Sequence, residues 1–242
     1  MSSSGSALST FDGQLLDGLD FCREVYDLFD AIQKSPDGVT RLRKRQGTEK
    51  KLIEELLPIT RYVQARYREG RRLKVRWFSG SQPYDAVLWS RGGSVTHGMA
   101  PRKVLLEVTS SMHPNEYLAR QLLMTKGGSF GVKGIARDPK TKIVTSEPHV
   151  HRNDEIETDL AAQILERLRE KAAKNYPWNT VLIMQCFCNS LTLESEWKDA
   201  IQSVENARPS IPFREVFLIE NVASLTSTLY GDRKRRVRPN VV

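Results

Sequence analysis

The sequence predicts an α/β domain in which a central mixed β-sheet is flanked by helices, with a helical extension at the N-terminus. Three observations predict it. Residues 73–78, 84–89 and 104–109 are short apolar stretches bounded by turn residues, the pattern of consecutive strands. Residues 180–186 (Thr-Val-Leu-Ile-Met-Gln-Cys) form a continuous apolar run, as expected for a central strand covered on both faces. Around these stretches, apolar residues recur at the spacing of amphipathic helices. A chain of 242 residues is long enough for one substantial core.

Taken in order, the Ser-rich residues 1–10 have the composition of a disordered tail. Residues 11–46 read as the helical extension. Phe21, Val25, Leu28, Phe29 and Ile32 lie on one helical face, and Ser35-Pro36-Asp37-Gly38 is a turn that ends the helix. That face packs on the body of the protein or on a second copy of the chain, so a homodimer through this helix is one expected assembly. The α/β domain spans 47–230. Its first helix runs over 48–68, with Thr48 at the N-cap position and Leu52, Leu56, Ile59, Val63 and Tyr67 as the buried stripe. Pro58 interrupts that pattern, so the helix kinks there or a new one begins. At 100° per residue Glu49 falls on the apolar side, Glu55 at its edge and Glu54 away from it.

Further along, Pro114 opens a helix carrying Tyr117, Leu118 and Leu122, which stops at Gly127-Gly128. Residues 128–145 form a loop or a small hairpin. Asn153 caps a longer helix with Asp154, Glu155 and Glu157 in its first turn and Lys171 and Lys174 near its end. Ile156, Leu160, Ile164 and Leu168 define its core face, and Lys171 projects onto the middle of that face, an odd place for a lysine, where it reads as snorkelling from the helix end. A short helix over 194–204, a strand over 215–219 and an edge strand over 225–230 precede a basic tail, 231–242.

The composition, 39% hydrophobic and 27% charged, is that of an ordinary folded domain. No apolar run approaches membrane-spanning length, and the N-terminus lacks the regions of a signal peptide. Cys22, Cys186 and Cys188 make no CxxC pair and no disulfide framework, which favours a reducing cytoplasm. The net charge of +8 is uneven. Arg41, Arg43, Lys44 and Arg45 crowd one stretch, followed by Lys50 and Lys51; Arg66 to Arg76 form a second group, and Arg233, Lys234, Arg235 and Arg236 a third. Such clusters are either solvated surface or sites for a polyanion, whose binding gains from counterion release. Three together favour nucleic acid, DNA before RNA, through backbone contacts, because no base-reading motif accompanies them.

Asp85 and Glu107 carry the chemistry. Each is a lone carboxylate in a strand of otherwise buried residues, a costly placement unless a cation or a metal compensates it. On adjacent strands the two can share one face and bind a divalent ion through oxygen. His149 and His151 alternate like strand residues but have no matched ligands around them.

With Asp85 on the second strand and Glu107 on the third, this helix, three strands, helix and strand resemble the PD-(D/E)XK nucleases over about residues 48–190, a restriction-endonuclease-like αβββαβ core. The resemblance implies Mg²⁺ or Mn²⁺ held by Asp85, Glu107 and the Val108 carbonyl, hydrolysis of phosphodiester bonds, and a glutamate from the first helix, Glu49 or Glu55, joining the site. Two departures accompany it. Pro83 stands two residues before Asp85 rather than directly before it. Thr109 stands where the family has its lysine, on the face of Glu107 but without a charge. Lys171, or Arg120 on the helix after the strands, is then the candidate cation, with Glu116 and Gln121 as further candidate site residues. A nuclease fold that has lost catalysis and binds nucleic acid or a protein is the alternative.

Overall fold

A computed structural model describes residues 8–149, 153–188, 193–222 and 224–231. His151 and the basic residues Arg233 to Arg236 lie outside this set.

The chain opens with a short strand, β1 (Leu15–Asp17), and the helices α1 (Gly18–Lys34), α2 (Gly38–Lys44) and α3 (Gly47–Lys51). A π-helical segment, Leu52–Leu56, then leads into α4 (Leu57–Arg66). Three strands follow: β2 (Arg71–Trp77), β3 (Ala86–Gly92) and, after the single turn α5 (Gly93–Thr96), β4 (Lys103–Ser111). Next come α6 (Glu116–Lys126), the small hairpin β5 (Ile135–Arg137) and β6 (Val144–Ser146), α7 (Asn153–Ala172) and β7 (Thr180–Cys186). The chain closes with α8 (Glu194–Ala207), β8 (Glu215–Glu220) and β9 (Thr226–Tyr230). Seven strands make one sheet in the order β1-β2-β3-β4-β7-β8-β9. β4, β7 and β8 run parallel and the other neighbours antiparallel, so the sheet is mixed and flanked by helices, as expected.

Strand alternation divides the sheet into two faces. Leu73, Val75 and Trp77 of β2, Ala86 and Leu88 of β3, and Leu106 and Val108 of β4 are buried with Phe21, Val25, Leu56, Ile59 and Val63 of the N-terminal helices. On the opposite face Leu182, Met184, Val216 and Leu218 are buried against Leu160, Ile164 and Leu168 of α7 and Trp197 and Ile201 of α8. Both parallel crossovers, β4 to β7 and β7 to β8, proceed the same way across the sheet. Right-handed crossovers of that kind place their helices on the same side.

The segment 11–46 is not an appendage. β1 pairs with β2 and extends the sheet, and Phe11, Phe21, Val25, Ile32 and Leu42 belong to the same buried cluster as Leu73 and Leu106. The helix expected from residue 11 starts at Gly18, where the Asp17 carboxylate accepts from the Leu19 N–H at 3.0 Å; residues 15–17 are taken by the sheet instead. The apolar face of α1 is thus spent on the body of the protein.

Pro58 marks the start of a new α-helix, one of the two outcomes expected of it. It sits in the first turn of α4, and the preceding turn widens so that the Leu57 N–H bonds the Leu52 carbonyl five residues back. A proline ring clashes with the carbonyl four residues earlier, and a π turn relieves that clash. Thr48, expected as an N-cap, lies inside α3, whose cap is Gln46.

A buried polar knot ties α4 to the far edge of the sheet. Glu215 Oε1 accepts from Tyr62 Oη at 2.6 Å and from Arg66 Nε and Nη2 at 3.2 and 3.0 Å, and Arg66 Nη2 also reaches Thr228 Oγ1 at 3.1 Å. Breaking a buried pair from one side leaves an uncompensated charge, which costs about 3–5 kcal/mol. Glu215→Leu is therefore expected to lower stability by about 3 kcal/mol in urea unfolding, and Tyr62→Phe by less; equal, small losses would show that the knot contributes little.

Candidate active site

The site forms where two strands part. β3 pairs with β4 only from Ala86↔Leu106 to Trp89↔Lys103, whereas β4 continues to Ser111 paired with β7 alone. Asp85 and Glu107 are the next residues on each strand beyond the Ala86–Leu106 pair, so both carboxylates stand at the opening. Alternation turns them away from Ala86 and Leu106, onto the face that carries α7. The Asp85 carboxylate replaces the missing ladder there: its Oδ2 accepts from the Val108 N–H at 2.6 Å, and the Asp85 N–H donates to the Leu106 carbonyl at 2.8 Å. Val108, expected to offer its carbonyl to a metal, is thus seen at the site through its N–H.

Burial is the largest influence on Asp85 and pushes its pKa up to about 7. The Val108 N–H opposes that rise, the charges of Glu107 and Glu55 add to it, and Lys171 partly offsets it. Glu107 is differently placed. Its Oε1 accepts from Lys171 Nζ at 2.6 Å and from Tyr176 Oη at 3.1 Å, with both members of the ion pair largely enclosed. Burial, then the neighbouring Glu107 charge, raises the Tyr176 pKa, so this phenol stays a proton donor. Its ring rests on Phe213, with centroids 5.0 Å apart.

Lys171, on the apolar stripe of α7, thus does not snorkel from the helix end but reaches a buried carboxylate. Thr109 lies two residues beyond Glu107 on the same face, half-buried and opposite Met184. Glu55 comes from the π-helical segment. Its Oε2 accepts from Trp77 Nε1 at 3.0 Å, and burial raises its pKa against the effect of that hydrogen bond and of Lys51. Of the two helix glutamates, Glu55 is near enough to act on Asp85 electrostatically. Glu49 is buried, as its place on the apolar side predicts, and is ion-paired with Arg41.

The remaining candidates gather elsewhere. Gln121 is exposed on α6 and accepts from Arg137 Nη2 at 3.2 Å. Glu116 is buried 3.7 Å from Arg120 Nε, and the Arg120 guanidinium lies 5.4 Å from the centre of the Phe187 ring. Arg45 covers the same ring at 4.8 Å, and burial, then the charge of Arg120, lowers its pKa to about 10. Within the first basic cluster, then, Arg41 is engaged by Glu49 and Arg45 is largely enclosed, while Arg43 and Lys44 stay exposed. A cavity of about 560 Å³ opens beside Arg120 and Phe187, walled by α6 and α7.

Tyr176 escaped the sequence reading, because it lies in an irregular turn after α7 where no periodicity marks it. Among the described residues, no three His, Cys, Asp or Glu side chains converge as a ligand group, so a metal here has the two carboxylates and backbone or water oxygens to bind it. That sparse oxygen set is compatible with Mg²⁺ or Mn²⁺, which keep much of their water. No helix among the described residues is long and apolar enough to cross a membrane. Comparison with protein-family models, curated proteins and solved structures found no match.

Proposed function

We propose that the protein is a metal-dependent nuclease of the PD-(D/E)XK kind that hydrolyses phosphodiester bonds of nucleic acid. The observation that carries this reading is the Lys171–Glu107 contact. It supplies, from α7, the cation that Thr109 cannot supply from the strand, beside an aspartate on the neighbouring strand. The order helix, three strands, helix and parallel strand supports the reading, as does Glu55 arriving from the first helix. A divalent ion held by Asp85 and Glu107 supplies, when bound, polarisation of the scissile phosphate and a water acidic enough to attack at neutral pH. Lys171 holds Glu107 in place and adds positive charge where the phosphate oxygens become more negative. Tyr176 fixes the same Glu107 oxygen. Asp85 gives up its proton near neutral pH, so its carboxylate becomes available to a metal as the pH rises through about 7.

A second reading, a nuclease fold that binds without cutting, has its own support. Glu107 Oε1 is already satisfied twice, and the carboxylate pair has no third acidic, histidine or cysteine side chain converging on it among the described residues. One assay separates the two. Purified protein is expected to cut plasmid or single strands with Mg²⁺ or Mn²⁺ and not with chelator, and Asp85→Asn and Glu107→Gln to slow this by about 10²–10³-fold or more. No cleavage with either metal, together with no metal uptake by calorimetry, selects the binding-only reading.

A further inference from the structure

The acid pair stands at one end of a basic strip. α7 and α8 bury residues of β7, β8 and β9, and none of the residues buried with them comes from β1, β2 or β3. The apolar packing of α7 and α8 therefore stops short of β2 and β3. The register sets out what this part of the face presents. Lys74 is opposite Trp89 and Trp89 opposite Lys103, which makes one row across three strands. Arg76 is opposite Val87 and Val87 opposite Leu105 in the next row, and Arg72 faces Arg91 on the other side. One further row from Val87 and Leu105 stand Asp85 and Glu107. Successive rows lie about 6.7 Å apart, two residues of strand rise, so the Trp89 row is about 13 Å from the acid pair.

Arg72, Lys74, Arg91 and Lys103 are exposed, and Arg76 and Trp89 are half-buried. The Trp89 ring is bracketed by cations: Arg76 Cζ lies 5.7 Å and Lys103 Nζ 5.8 Å from its centroid. Val87 and Leu105, in the row between these residues and the acid pair, are almost fully buried. Arg76 Nε has no hydrogen-bond partner among the described residues. Asp17 of β1 stands opposite Lys74 at one end of the Trp89 row, where its carboxylate accepts from the Leu19 N–H, and Asp85 and Glu107 stand at the end of the strip; no acid lies between the cations of β2, β3 and β4 in the register.

We propose that this face of β2, β3 and β4 is the track for a single-stranded nucleic acid, with Trp89 as a stacking platform and Arg72, Lys74, Arg76 and Lys103 as phosphate contacts. The proposal rests on the nucleic-acid reading above and is independent of catalysis. Polyanion charge is complementary to a row of cations without acids between them. The single strand is favoured over the duplex by Trp89. An aromatic ring among cations offers a stacking face to an unpaired base, whereas a paired base has both faces taken by its neighbours. A base that stacks there displaces one cation from the ring and frees it for phosphate. The strip leads directly to Asp85 and Glu107, so a strand lying along it passes the carboxylates within a few nucleotides. In the sequence the strip was visible only as the basic group 66–76; Trp89 and Lys103 joined it through strand pairing.

The test is fluorescence anisotropy with a labelled oligothymidine and a duplex of equal length, in chelator so that nothing is cut. The single strand is expected to bind at least about tenfold more tightly than the duplex, and Trp89→Ala to weaken it by about tenfold, the loss of one stacked base. Trp89→Phe, which keeps an aromatic face, is expected to retain most of the affinity, and this tells stacking from a folding defect. Lys74→Glu with Lys103→Glu is expected to weaken binding and to flatten its salt dependence by about 1.4 in the log–log slope, two phosphate contacts on a single strand. Lys126→Glu with Lys140→Glu makes the same change of net charge on exposed residues elsewhere and is expected to leave affinity within twofold. Equal binding of duplex and single strand, indifference to Trp89→Ala, or an equal loss in the Lys126/Lys140 variant overturns the proposal. Binding without cleavage leaves the track standing and removes only the nuclease reading.

Discussion

In chelator at pH 8, Asp85→Asn is expected to melt at a higher temperature than the natural protein, and near pH 4 the two are expected to coincide. The cause is the placement of Asp85. Burial raises its pKa to about 7 in the folded chain, against an ordinary value near 3.8. A carboxyl whose folded pKa is raised holds its proton in the native state while the unfolded chain has lost it. Stability therefore falls as pH rises from about 4 to about 7 and levels off above that. Each tenfold change in proton affinity between the folded and unfolded chain corresponds to about 1.4 kcal/mol, so the charged Asp85 costs roughly 4 kcal/mol at pH 8. Asparagine keeps an oxygen for the Val108 N–H and carries no charge to desolvate. For a chain of this size the gain amounts to about 8–16 °C in Tm. Mg²⁺ or Mn²⁺ is expected to raise the melting temperature of the natural protein at pH 8 and to leave that of Asp85→Asn little changed, because a ligand that binds only the folded state stabilises it. Calorimetric melts between pH 4 and pH 8 check this. A difference between the two proteins that does not vary with pH would mean that Asp85 does not titrate in this way.

The same burial explains what could be read from the chain and what could not. The strands over 73–78, 84–89, 104–109 and 180–186 were legible because apolar side chains on a covered sheet leave a run bounded by turns. Asp85, Glu107 and Lys171 were legible for the complementary reason: each is a charge where the pattern demands an apolar residue, and the structure pairs Lys171 with Glu107. Glu49 and Glu55 were less well separated. The 100° projection holds for a regular α-helix, and the π-helical turn at Leu52–Leu56 shifts the register of everything before it relative to α4. After that shift Glu55 meets Trp77 beside the sheet, and Glu49 pairs with Arg41. β1 left no signal because three residues carry no periodicity, and Tyr176 left none because a turn has no face. Arg45 was counted with its exposed neighbours, since nothing local shows that Phe187, 142 positions later, lies beneath its guanidinium.

Lys171→Met is expected to have the largest combined effect, lowering both stability and turnover. Its side chain and that of Glu107 are each less than 15% exposed, and the N–O distance is 2.6 Å. Methionine fills similar space but leaves the Glu107 charge with Tyr176 as its remaining hydrogen-bond donor among the partners described above. Removing one member of a buried pair costs about 3–5 kcal/mol, most of it the desolvated charge left behind. The expected fall is about 3 kcal/mol in urea unfolding. Adding Glu107→Gln to Lys171→Met is expected to restore most of that stability, because the neutral amide needs no cation; the two changes are in contact and so are not additive. Cleavage should behave differently. Lys171→Met is expected to slow it by about 10²–10³-fold, as loss of a group acting on developing charge does, and the stability-restoring double variant should remain inactive. Thr109→Lys, introduced into Lys171→Met, places an ammonium on the same face of β4 two residues from Glu107 and is expected to recover part of the rate. Single-turnover cleavage of one substrate by these variants, each checked for folding, decides it. Full activity in Lys171→Met would show that the cation of α7 serves only to neutralise Glu107, and would remove Lys171 from the chemistry while leaving its structural role intact.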